Sequence, residues 1–158
     1  MHMRSANGRS RAGFTLVELL VSIAIILIIL TIAVPMVQYA KLNADETAVI
    51  REVQTIHQAQ MQYQSQFGKY AIKLSELGPP DQGASGPQAA SLIPRSLARG
   101  EKNGYVFSMT PAASGYTVTA VPKTFGRTGR RTFYIDQDGI VHQNWGREPA
   151  TESSPEAQ

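Results

Sequence analysis

Residues 13–40 read GFTLVELLVSIAIILIILTIAVPMVQYA, and this stretch decides the fold. From Leu19 to Ala40 there are 22 residues without a charge. At a helical rise of about 1.5 Å per residue the run reaches roughly the 30 Å of a bilayer core. One acid, Glu18, stands at its lip, four residues after Phe14. Pro35 lies within the run and has no amide proton to close the helical bond to Thr31. Before the run stands MHMRSANGRSRAG, with Arg4, Arg9 and Arg11 and no acid. A basic leader against an apolar span predicts a cytoplasmic leader and an exported remainder.

The chain has 158 residues, enough for one modest domain and one membrane element. Its formal charge of +3 comes from 15 Lys and Arg against 12 Asp and Glu. Three of those cations are in the leader and all the acids follow it, so the rest of the chain is balanced. The basic pI is therefore no argument for nucleic-acid binding. The densest later patch, Arg127, Arg130 and Arg131, reads as a solvated turn. The absence of cysteine excludes disulfides, thiolate nucleophiles and thiolate metal sites.

Two ordinary explanations fall short. A secretory signal peptide has a shorter apolar region followed by a small-residue cleavage site. A plain signal anchor accounts for span and orientation but gives no reason for Glu18.

Gly13-Phe14-Thr15-Leu16-Val17-Glu18-Leu19-Leu20 followed by a long aliphatic tail resembles the class III signal of type IV pilins and type II secretion pseudopilins. The likeness covers roughly residues 1–40. It implies cleavage after Gly13 by prepilin peptidase and N-methylation of the new terminus, Phe14. It also implies that Glu18 serves subunit assembly and that Pro35 marks a helix-disrupting position. The physical chemistry agrees: a carboxylate inside an apolar bundle is costly unless paired. Cleavage would create an ammonium group at Phe14, so Glu18 of one subunit can pair with the terminus of the next. Ser22 and Thr31 can bond back to their own helix and read as structural.

Beyond the span the helical period persists. Val49, Val53, Ile56, Gln60, Tyr63 and Phe67 recur at steps of four and three, which predicts a single helix from Thr15 to Phe67. Its first half wants lipid or other subunits; its second half wants a sheet on one face. A coiled coil through the same stripe is the competing account. Gly68 is the expected stop, and His57 reads as a helix-surface residue. Residues 78–90, GPPDQGASGPQAA, read as a loop, with short helical turns near Ala89–Leu92 and Arg95–Ala98. Alternation predicts strands at 104–109 and 116–121 around a turn at 111–115, then a hairpin of 131–135 and 140–144 around Asp136-Gln137-Asp138-Gly139. The tail from Gly146 is polar and reads as frayed.

Asp136 and Asp138 are the candidate oxygen ligands for a metal such as calcium, but the other ligands of an EF-hand are missing, and a β-turn explains them. His142, on a strand and apart from the other histidines, is a poor catalytic candidate. Nothing suggests an enzyme or a cofactor.

The expectation is an α+β, pilin-like fold: one long N-terminal helix, half membrane and half amphipathic, packed on a small antiparallel sheet. The expected division is a leader at 1–13, a transmembrane and filament-core helix at 14–40, a globular domain at 41–145 and a polar tail at 146–158. The resemblance implies a structural subunit of a type IV pilus, for adhesion, motility or DNA uptake, or a major pseudopilin driving protein export. The implied partners are copies of the chain in a helical homopolymer, prepilin peptidase, an inner-membrane assembly platform, and inner-membrane lipid before assembly. Location would be the bacterial inner membrane with the N-terminus cytoplasmic, then a surface pilus or periplasmic pseudopilus. Pro35, the length and the lack of a convincing calcium loop favour the pilus; the lack of a disulfide-closed C-terminal loop favours the pseudopilus.

Overall fold

The computed structural model describes residues 13–113 and 115–157; the leader residues 1–12 lie outside them. The chain divides into two compact units, Met1–Gln38 and Tyr39–Gln158. Helix α1, Leu16–Phe67, contributes residues to both.

In the first unit α1 is aliphatic on every side. Its large apolar side chains from Leu16 to Val37 are all exposed. The best 18-residue window of α1 has mean hydropathy 3.0, and none of it is buried. The helix runs through Pro35 without interruption. Ser22 and Thr31 each donate their hydroxyl to an earlier carbonyl of the same helix, Glu18 O and Ile28 O, both at 2.7 Å.

In the second unit the period of α1 becomes a stripe. Val49, Val53, Ile56, Ala59 and Tyr63 are buried, as the spacing predicts. Gly68 ends the helix with φ of +71°, the left-handed conformation that glycine adopts at low cost, and its N–H donates to Gln64 O at 2.8 Å. Two short helices follow, α2 (Leu74–Leu77) and α3 (Arg95–Ala98). The turn expected at Ala89–Leu92 is not helical: Ala89 pairs with Gly86 across a loop bridge, and the backbone N–H groups of Ala90 and Leu92 bond to Glu76 and Leu77 around α2.

The sheet is antiparallel, with strands in sequential order: β1 (Glu101–Lys102), β2 (Tyr105–Ala112), β3 (Gly115–Pro122), β4 (Thr132–Asp136) and β5 (His142–Asn144). Alternation is strict in β3, where Tyr116, Val118 and Ala120 point inward and Thr117 and Thr119 are half-buried. Tyr105 and Phe107 of β2 and Phe133 and Ile135 of β4 complete the inner face. These residues form one core with the α1 stripe. This is the α+β arrangement of a pilin-like fold, with α1 on one face of a small sheet. Burial of each of the large aliphatic and phenylalanine side chains among them contributes about 1.5–3 kcal/mol.

The turn expected at 111–115 is shorter, because Ala112 already pairs with Gly115. Pro111 is therefore in a strand. Phe107 donates its N–H away from β3, to Gly100 O at 2.8 Å, and every second residue of β2 shares that direction. The missing donor of Pro111 thus falls on the outer edge, where a sheet tolerates it.

The tail is bonded, not frayed. Gln143 N–H donates to Pro155 O and Ala157 N–H to Val141 O, both at 2.8 Å. His142 pairs with Glu156, and Ala150 is buried. Its polar side chains hide this, because the contacts are made by backbone.

Candidate functional site

The residues singled out at the N-terminal joint lie together in the first unit. Gly13 and Phe14 precede the helix, and the Phe14 ring is 80 % exposed. Thr15 caps α1: its Oγ1 accepts the N–H of Glu18 at 3.2 Å, and its carbonyl accepts the N–H of Leu19, also at 3.2 Å. Thr15-Leu16-Val17-Glu18 has the spacing of a capping box. Glu18 therefore stands in the first turn of the helix, exposed. The partial positive charge of a helix N-terminus favours a carboxylate there. This local role of Thr15 was readable from its three-residue spacing to Glu18.

The chain carries a prokaryotic N-terminal methylation motif. The match to that family covers residues 8–34 and so takes in Gly13, Phe14 and Glu18. It is a class III prepilin or pseudopilin signal, consistent with the pilin and pseudopilin superfamily in general. Comparison with curated proteins and with solved structures gave no match.

Other candidates resolve into structure. Asp136 Oδ1 accepts the N–H of Asp138 at 2.9 Å, and its Oδ2 accepts the Tyr134 hydroxyl at 3.3 Å. This is an Asx turn closing the β4–β5 hairpin. Among the described residues no three His, Cys, Asp or Glu side chains are grouped to hold a metal. His142 shares a 2.6 Å bond with Ser154 O of the tail and lies edge-on to Tyr134.

His57 is not a plain surface residue. It is half-buried, shares a 2.7 Å hydrogen bond with the Tyr116 hydroxyl and lies against Gly139 of the hairpin turn. Burial pushes the Tyr116 phenol above its ordinary pKa, with smaller contributions from Tyr70 and Asp136. Gln60, the polar member of the stripe, is fully buried. Its amide donates to Ala71 O and accepts from Ala71 N–H, each at 2.9 Å, so it holds the chain beyond Gly68 against α1.

The reading of Arg130 and Arg131 as solvated is also corrected. Both converge on Glu46, which is fully buried on α1. Arg131 Nε donates to Glu46 Oε2 at 2.8 Å, and the backbone N–H of Arg130 donates to Oε1 at 2.7 Å. Arg131 also donates to Gln143 Oε1 at 2.8 Å, and the Arg130 guanidinium donates to Asn43 Oδ1. Both guanidiniums lie over the Trp145 ring, at 4.9 Å for Arg131 and 5.9 Å for Arg130. Burial, reinforced by the Glu46 charge, also raises the phenol of Tyr105, whose hydroxyl donates to Arg131 O at 2.9 Å. The signal was present in the sequence. The apolar stripe extended back three residues from Val49 lands on Glu46, and a carboxylate on a buried face requires a cation.

Proposed function

We propose that the chain is a structural subunit of a type IV pilus. It is made as a precursor, cut between Gly13 and Phe14 by prepilin peptidase, N-methylated at Phe14 and polymerised into a helical filament. The observation that carries this reading is the coincidence at one joint of the methylation motif with an aliphatic helix whose apolar window is unburied among the described residues. Glu18 is the assembly residue, and the leader faces the cytoplasm. Pro35 supports the pilus reading, because a helix lacking one donor is poised to lose regular bonding when packed among copies. The absence of cysteine, and so of a disulfide-closed loop, supports the second reading, a pseudopilin of a type II secretion system.

Filaments sheared from cells and measured by intact mass test the proposal. The expected subunit begins at N-methylated Phe14. Leader-bearing subunits in mature filaments overturn it, and material confined to the periplasm selects the pseudopilin.

A further inference from the structure

The bond between Gly13 and Phe14 lies outside the helix, and Thr15 is the residue that ends the helix there. Leu16 is the first residue of α1; Gly13, Phe14 and Thr15 precede it and are exposed. Thr15 accepts twice from the first turn, through Oγ1 from the N–H of Glu18 and through its carbonyl from the N–H of Leu19, both at 3.2 Å. An N-cap residue is itself non-helical while it closes the first helical bond, so the helix stops on its far side. Among the described residues no backbone N–H donates to the Gly13 carbonyl, and a Cβ placed on Gly13 would meet nothing within 4 Å.

The competing arrangement is written in the sequence. The nearest hydroxyl upstream is Ser10, and a helix capped there would take Gly13 and Phe14 into its first two turns. A carbonyl inside a helix is tied to the N–H four residues on, whereas a peptidase needs a free line of attack on that carbonyl. Glycine resists the helix through its backbone entropy. Gly13 and Thr15 therefore act in the same direction, one by opposing the helix and the other by ending it.

We propose that Thr15 is a positioning residue for processing: its cap keeps the Gly13–Phe14 bond out of the helix and open to the peptidase. This inference rests on the cleavage described under Proposed function.

The full precursor in detergent, cut by purified prepilin peptidase, tests it. Thr15→Val keeps the shape and cannot cap; Thr15→Ser and Thr15→Asn can. Loss of a threonine cap shifts a helix boundary by about fivefold. A peptidase that takes only the unwound form has its apparent affinity reduced by the fraction in that form. Thr15→Val should therefore raise KM about two- to fivefold at unchanged kcat, and Thr15→Ser and Thr15→Asn should restore it. Carbon-13 backbone shifts of Gly13 and Phe14 in the uncut precursor should move toward helical values in Thr15→Val alone. Wild-type KM for Thr15→Val, or shifts that stay where they were, overturns the proposal. A defect shared by Thr15→Ser and Thr15→Asn, or one confined to kcat, identifies a direct contact with the peptidase and also overturns it. A wild-type precursor that is not cut between Gly13 and Phe14 overturns the processing reading itself, and the role of Thr15 with it.

Discussion

Glu46 shows how one residue can join two distant parts of the chain. It is wholly buried, and its carboxylate serves Arg131 Nε and the Arg130 amide, more than 80 residues away in sequence. Such a trio is not a large net stabiliser, since desolvating the charges offsets most of their attraction. Breaking it is another matter. Glu46→Ala strands the Arg131 guanidinium, only 12 % exposed at its side chain, without its counter-charge. The expected loss is about 3–5 kcal/mol, read from chemical denaturation of the chain in detergent. Glu46→Gln keeps an acceptor for the Arg130 amide and should lose less. An unchanged midpoint for Glu46→Ala would mean that the trio is replaceable by water. The same substitution should also release Trp145, so its emission should shift red and lose anisotropy before unfolding.

At the scale of elements, legibility in the sequence followed side-chain periodicity. The stripe on α1 and the alternation in β3 and β4 leave marks of period 3.6 and 2, because burial on one face constrains every inward position. The N-terminal methylation motif was legible for a different reason: Gly13, Phe14 and Glu18 lie in a linear pattern that needs no folding to be seen. Three features had no such mark. α2 has four residues and β1 two, too few to show a period. The tail pairs through backbone groups, so Thr151 to Ala157 look like any polar segment. That pairing has a consequence. β5 is the last strand of the sheet, and Gln143 N–H and Val141 C=O on its outer side are occupied by Pro155 and Ala157. An unpaired edge of this kind invites pairing with another chain. Deleting residues 150–158 should remove about 1–3 kcal/mol of stability, since it frees two backbone bonds and the His142 contact. It should also produce concentration-dependent association in detergent, measured by sedimentation velocity. A truncated chain that melts and sediments like the full one would show that the tail protects nothing.

The whole molecule combines two units with opposite relations to water. The unit Tyr39–Gln158 buries its own core. The unit Met1–Gln38 has described side chains that are almost all aliphatic and exposed, a surface of the kind that marks contact with lipid or with other chains. Aliphatic surfaces alone do not fix register, because one helix can slide along another at little cost. A single carboxylate does. Glu18, carried into an apolar bundle, is costly until it meets a cation, and cleavage at Gly13 would place an ammonium group at Phe14 of each neighbouring copy. A head-to-tail contact of this kind propagates as a filament wherever its rotation does not close into a ring. Glu18→Ala should therefore leave a folded, membrane-inserted subunit that polymerises poorly. One charge-assisted hydrogen bond contributes about 1.5–3 kcal/mol, equivalent to roughly a ten- to hundredfold rise in the subunit level needed for growth. The measurement is sheared filament against membrane-held subunit in the same cells, with circular dichroism of the purified variant to verify the fold. Wild-type filament yield from Glu18→Ala would remove the pairing and leave aliphatic packing to set the register. A yield that falls with Glu18→Ala and recovers partly with Glu18→Asp would identify the charge, rather than the bulk of the side chain, as what the neighbouring terminus recognises.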